Sequence, residues 1–322
     1  MKRFERILGT IDKQMRGLEI APWFAPIAPR SQGYNVRILD VFDRPGLIEQ
    51  AKADPFNRDR DMSLVEEVDY VGSATEIANI IPKADHGTFD YIVSSHNFEH
   101  LPNPIKFLQG CAKILKPGGL LSMAVPDRRG CFDYFRPNTQ LGDWLDAYVA
   151  DRDRPTARQV FDLKSQQAIF ELGGFKAPGF RVGEDRKLVT LLGDLRESYA
   201  VYSQSRADDS YQDSHCTVMT PASLELLLSD IRHLGLASFR IEEISTPNHH
   251  EFYVKLRFGV PKSEMTDADY ALHRNELFHR SLQDYVVQVV PQKRLFRAGR
   301  GTRAVARKVR SFGRRLRGKP DT

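Results

Sequence analysis

The stretch from Phe89 to Asp127 leaves few folds open to this chain. Tyr91, Ile92 and Val93 are apolar β-formers that break off abruptly at Ser94-Ser95, as a buried parallel strand does at its carboxyl edge. Pro104 opens a helix on which Ile105, Leu108, Ala112 and Leu115 share a face, and Pro117-Gly118-Gly119 stops it. A second strand, Leu120 to Val125, ends at Pro126-Asp127. Strand, helix and strand at these lengths predict half of a parallel α/β sheet. In open sheets of that kind ligands bind outside the carboxyl ends of the strands, so Ser95 to His100 and Asp127 to Arg129 are the first places to seek chemistry.

The chain before this unit has the same rhythm. Leu18-Glu19-Ile20 is a short strand running into Ala21-Pro22-Trp23-Phe24-Ala25-Pro26, where two prolines exclude an undistorted helix. Asn35 to Leu39 is a second strand ending at Asp40, Gly46 to Lys52 a helix, Val68 to Val71 a third strand closed by Gly72-Ser73, and Ala74 to Ile81 a helix. Residues 128–215 break the alternation with helical pieces, Leu141 to Val149 and Ala157 to Phe170, which read as a helical insertion or lid over the substrate site. Pro221 to Leu234 is a periodic helix stopped by Gly235, and Phe239–Ile244 with Glu251–Phe258 predict an antiparallel hairpin on the sheet edge. The expected fold is α/β: a Rossmann-like, doubly wound, mostly parallel seven-stranded sheet with that terminal hairpin. The domain spans 1–260, a helix occupies 261–292 (266 to 290 by its pattern), and 293–322 is a basic tail.

Charge separates tail from body. Twelve of the 47 Lys and Arg residues fall between Lys293 and Lys319, a span without Asp or Glu, so the chain up to residue 292 carries 35 basic against 41 acidic residues. An acidic body argues against nucleic acid as a partner. Cys111, Cys131 and Cys216 have no ligand-like spacing, which predicts reduced, packed thiols and no structural zinc. No run approaches 18 apolar residues and the first sixteen lack an apolar core, so the reading is a cytoplasmic protein without span or signal peptide.

Phe89-Asp90-Tyr91-Ile92-Val93-Ser94-Ser95-His96, Glu99-His100-Leu101-Pro102-Asn103-Pro104 and Leu115-Lys116-Pro117-Gly118-Gly119-Leu120-Leu121 together resemble the class I S-adenosylmethionine-dependent methyltransferases. More narrowly, Leu18-Glu19-Ile20-Ala21-Pro22, Glu67-Val68-Asp69-Tyr70-Val71, Ala124 to Arg129 and Cys131 to Pro137 are similar to bacterial methyltransferases associated with glycan biosynthesis and glycosyltransferases. The resemblance implies S-adenosyl-L-methionine as cofactor. It places Glu19, Ala21 and Pro22 at the cofactor's amino-acid end, Asp40 on both ribose hydroxyls, Gly72 and Ser73 beside the adenine, and Ser95 and His96 along the methionine. The chain departs from the family in its first loop, which contains no glycine and so restricts close backbone approach.

Methyl transfer to a hydroxyl benefits from a general base, and His96, His100 and His215 are the candidates, with Asp213 available to orient His215. Each also has a structural alternative, a helix-start or loop histidine bonded to backbone. His249-His250 reads as a turn pair, and no metal is expected. Asp127, Arg128, Arg129, Asp133 and Arg136, next to Phe132, Tyr134 and Phe135, suit a saccharide or other polar acceptor, although Asp133 and Arg136 can equally pair across a helix turn. Trp23 and Phe24 either wall the cofactor pocket or plug the core. In the tail, Arg300, Arg303, Arg307, Arg310, Arg314 and Arg317 alternate with Val305, Val309, Phe312 and Leu316; this reads as an amphipathic segment at the inner, anionic face of a membrane or as a solvated disordered tail, with non-specific nucleic-acid binding ranking third. The competing class for the whole protein is a non-catalytic Rossmann-like scaffold with a degenerate cofactor loop.

Overall fold

The computed structural model describes residues 3–54, 57–205, 211–259 and 265–289. The tail at 293–322 lies outside them. Parallel strands supply the frame: β1 (Gly17–Ile20), β2 (Val36–Asp40), β3 (Tyr70–Val71), β4 (Phe89–Ser95) and β5 (Leu115–Pro126). After the insertion come β9 (Phe239–Ile244) and β10 (Glu251–Phe258), and the seven strands line up as β3-β2-β1-β4-β5-β10-β9. β10 is antiparallel to both β5 and β9, so the doubly wound sheet with its terminal hairpin is present as expected. The strand order reverses between β1 and β4, which makes that crevice the switch point where such sheets bind ligands.

Alternation along the strands divides the core between the two faces of the sheet. Ile92, Leu121 and Met123 pack on one side against α4 (Pro104–Ile114) and α8 (Pro221–His233), while Tyr91, Val93, Leu120 and Ala124 pack on the other with Ile7 of α1 (Arg3–Leu8). Gly17 is bare because the Tyr91 ring crosses it; a Cβ there would stand 2.0 Å from that ring. Both long helices begin as their sequences direct: Asn103 caps α4 and Thr220 caps α8, each followed by proline at the first helical position. The helical patterns between the strands form α2 (Arg44–Ala53) and the short α3 (Ile77–Ile80).

The 128–215 segment departs from a purely helical insertion. It contains α5 (Leu141–Val149), α6 (Ala157–Gln166) and α7 (Leu195–Ser205), but also a small antiparallel sheet of β6 (Ala168–Leu172), β7 (Phe175–Ala177) and β8 (Val189–Leu191) in the order β7-β6-β8. The helix expected to reach Phe170 therefore stops at Gln166, because Ala168 and Phe170 turn to one side and join Phe180 and Val189 in a separate small core. α5 is anchored by Trp144, 1% exposed, whose indole packs edge-on against Phe98 at 5.9 Å and donates to Thr217 Oγ1 at 3.1 Å. α9 (Asp267–Val289) docks on α8 through Asp230, which accepts from Tyr270 at 2.6 Å and Arg274 at 2.7 Å. The three cysteines are buried and unpaired.

Candidate active site

Strand register builds the site. Ile20 faces Leu39 on one side and Ser94 on the other, so the next row across the carboxyl edge is Asp40, Ala21 and Ser95, continued by Ala124. Over Ala21 and Ser95 of this row lies a cleft of about 530 Å³ whose lining also includes Glu19, Pro22 and His96, while Asp40, Gly72 and Ser73 are not among its lining residues. The antiparallel hairpin completes it. β10 runs back toward β5 with Glu251 opposite Pro126, so its first residue and the preceding His249-His250 arrive where the parallel strands end.

The glycine-free loop is accommodated by strain and bracing. Ala21 and Trp23 adopt left-handed φ values of 50° and 42°, and His96 across the cleft does the same at 50°. For residues with a Cβ this costs roughly 1–2 kcal/mol apiece. The loop is held from within by Glu19, which is 1% exposed and accepts from the backbone N–H groups of Ile27 (2.5 Å) and Ala28 (3.0 Å). Burial pushes the Glu19 carboxyl up to about 7. Phe24 plugs a small core with Leu47, Ala51 and Val65, and Trp23 packs against it; neither lines the cleft.

Asp40 is 4% exposed, and its carboxylate accepts from its neighbour Val41 N at 2.7 Å. Burial pushes it up to about 6. One oxygen is thus left to receive hydroxyl donors at the tip of β2. Gly72 follows β3 with φ 148°, donates to the Asp40 carbonyl at 2.8 Å, and has Ile80 only 2.6 Å from where a Cβ would stand. Ser73 caps the following turn through Thr75 N. Arg3, which the sequence did not single out, brings a guanidinium into the cleft: it donates to Glu251 at 2.8 Å and to Ser95 Oγ at 2.5 Å. An open acidic oxygen at the second strand, a bare glycine beside it and a cation near the first loop fit the ribose, adenine and carboxylate ends of a nucleoside amino acid such as S-adenosylmethionine.

A histidine–carboxylate cluster begins in the cleft wall at His96 and Glu251. His96 donates from Nε2 to Glu251 at 2.9 Å and stands with Nδ1 3.4 Å from Glu99. Burial alone would lower its pKa, but the two carboxylates outweigh that and raise it to about 9, while the same contacts with Arg3 and Tyr253 hold Glu251 down to about 2 against its own burial. His100 Nδ1 pairs with Asp213 at 2.9 Å and His215 Nδ1 with Asp133 at 2.5 Å. The orienting partner of His215 is therefore Asp133, 82 residues away, and not the adjacent Asp213, which serves His100. The Glu99 backbone carbonyl accepts from Cys216 N (2.6 Å) and Thr217 N (3.0 Å), which brings His215 onto the loop after β4.

The residues expected to meet an acceptor are buried and engaged with one another. Asp127 receives Arg129 through Nη2 at 2.6 Å and Nε at 2.9 Å, and Arg129 reaches Asp284 of α9 at 2.5 Å. Arg128 donates to Asn138 and to the carbonyls of Tyr134 and Arg136. Asp133 and Arg136 pair at 2.7 Å, and Arg136 also holds the His215 carbonyl at 2.9 Å. Asp133 and Arg136 thereby hold His215 by its ring and by its carbonyl. His249 and His250 meet through their Nδ1 atoms at 2.9 Å in the hairpin turn. His250 and Glu251, which line the cleft, were not singled out for it from the sequence; the signal that could have found them is the hairpin, whose second strand, antiparallel to β5, begins at the carboxyl edge of the sheet.

The switch-point cleft and the acidic tip of β2 define an α/β protein built to hold a nucleoside-type cofactor. The methyltransferase domain family matches residues 1–177, more than half of the chain, and the chain belongs to that family. It is 30% identical over 118 residues to the ubiquinone biosynthesis O-methyltransferase of Xanthomonas campestris pv. campestris (strain B100), covering 32% of this chain and 48% of that protein. A shorter match, 43% over 42 residues, is to the ubiquinone biosynthesis O-methyltransferase of Caulobacter vibrioides, covering 13% of this chain and 17% of that one. The chain thus spans at most about half the length of these curated relatives. A S-adenosylmethionine-dependent methyltransferase of Aquifex aeolicus of solved structure aligns over 80% of this chain and 89% of its own, with a TM-score of 0.36 and 13% identity.

Proposed function

We propose that this protein transfers a methyl group from S-adenosylmethionine to a hydroxyl of a polar small molecule, of which a saccharide is the foremost class. The observation that carries the reading is Asp40: a buried carboxylate at the tip of β2, one strand from the switch point of a methyltransferase-family sheet, with one oxygen bonded to Val41 N. Bound there, the cofactor supplies a methyl on a sulfonium sulfur. Asp40 accepts the ribose hydroxyls, Gly72 and Ser73 flank the base, Arg3 faces the methionine carboxylate, and Glu19 keeps the first loop in shape. When the acceptor oxygen takes up the methyl, its proton would leave past the Glu99, His100 and His215 cluster. Asp127, Arg128, Arg129, Asp133 and Arg136 act on the acceptor indirectly, by holding that cluster in place. The O-methyltransferase relatives support an oxygen acceptor; a saccharide rests on the sequence resemblance.

The basic segment 293–319 is assigned to the anionic inner surface of a membrane, on the strength of its arginine spacing. Isothermal titration with S-adenosylmethionine and with its demethylated product tests the enzyme reading. One site per chain is expected, with Asp40→Ala at least about tenfold weaker, since a charge-assisted hydrogen bond contributes roughly 1.5–3 kcal/mol. A folded protein that binds neither compound would leave the scaffold reading in its place, which the strained Ala21 and Trp23 would then explain.

A further inference from the structure

We propose that Glu99, His100 and His215 form a binding site for one divalent transition-metal ion of the zinc class. One ligand atom from each lies within 4.8 Å of the others. Each Nδ1 is taken by an aspartate, Asp213 for His100 and Asp133 for His215, so Nε2 is the nitrogen that remains on each ring. A carboxylate behind a ligating imidazole fixes its tautomer and orientation and raises its basicity. His100 Nε2 stands 3.9 Å from Glu99 Oε1.

Glu99 supplies the independent observation. It is 1% exposed, and neither carboxylate oxygen has a hydrogen-bond partner. The nearest cation, His96 Nδ1 at 3.4 Å, lies outside hydrogen-bond geometry. Two buried carboxylate oxygens that accept no hydrogen bond are costly even beside the His96 cation, and a dication shared with two imidazoles removes the cost. Two nitrogens and one carboxylate oxygen are the donor set of catalytic zinc sites that keep a coordination position open. Bonds of about 2.1 Å put neighbouring ligand atoms about 3.4 Å apart, so the cluster must tighten by roughly 1 Å. His100, whose side chain is 30% exposed, is the member free to make that movement and marks the way in.

Metal binding stands on this geometry alone; its use rests on the methyltransferase reading. An ion held by Glu99, His100 and His215 with an open position would lower the pKa of an acceptor hydroxyl that reached it, and with both rings ligating the proton would pass to solvent.

The test uses the full chain after chelator dialysis, titrated with Zn²⁺ by calorimetry and with Co²⁺ by visible absorption. One ion per chain with ligand-field bands of low-coordinate cobalt is expected. Glu99→Gln and His215→Gln should each weaken binding by tenfold or more, and Asp213→Asn, a change at a 61% exposed side chain, by about ten- to a hundredfold, with circular dichroism confirming the fold. Absence of stoichiometric binding by wild type, or variants that bind as tightly as wild type, would overturn the proposal. Titration with S-adenosylmethionine in parallel separates the two ideas: metal without cofactor binding removes the methyltransferase use and keeps the site, and the reverse removes the site alone.

Discussion

Glu251 receives Arg3, His96 and Tyr253 at the mouth of the cleft, and the charge states of this group depend on one another. His96 is raised from 6.5 to about 9, so its contribution to stability is fully present below pH 6.5 and is lost as pH climbs through about 9. Glu251 is lowered from 4.5 to about 2, so its contribution is present above 4.5 and is lost as pH falls through about 2. Both act together between pH 4.5 and 6.5. Melting of wild type and His96→Gln across pH 5.5 to 9.5 should show a difference that is largest at the acid end and fades toward pH 9; a pH-independent difference would mean that His96 matters for packing and not for charge. Asp40 runs the other way, since burial raises it and the one backbone hydrogen bond from Val41, which favours the ionised form, does not offset that.

At the scale of elements, the insertion is tied to the sheet edge chiefly by α5. Trp144 fills a place among Phe98 and the residues of α4 and α8 and hydrogen-bonds to Thr217. Trp144→Ala should destabilise by about 3–5 kcal/mol, read from chemical denaturation, and should weaken any ion held by His215, two residues before Thr217. The hairpin, the strand tips and Asp40 were all legible in the sequence because each depends on local pattern: period-two alternation, an apolar run ending in polar residues, an acidic residue at a strand end. The pairing of Asp133 with His215 was not legible. It spans 82 residues and is set by how the insertion folds back, while Asp213, two residues from His215, offered a nearer and wrong partner. The small sheet β7-β6-β8 was hidden for a related reason. Its strands are three to five residues long and half-exposed, too short for a period to declare itself. Arg3 entered the cleft from a helix of six residues whose destination no local rule specifies.

For the whole molecule, residues Met1–Gln288 form one unit that contains every group of the cleft and the cluster. No described helix is long and apolar enough to cross a membrane. Deleting residues 293–322 should therefore leave melting and S-adenosylmethionine titration unchanged while shifting the protein from the floating to the free fraction with vesicles containing phosphatidylserine. Unchanged flotation would refute the membrane role of the tail, and lost cofactor binding would show that the unit is not self-sufficient.

Glu99 does two jobs through two parts of itself. Its carbonyl staples Cys216 and Thr217 to the loop after β4, a bond any residue can make, whereas its carboxylate alone meets the histidines. Architecture and reactivity at this position are thus separately inherited. A chain that exchanges the carboxylate for an amide or a shorter acid changes what His96 and His100 face, and still closes the insertion over the sheet through the same carbonyl.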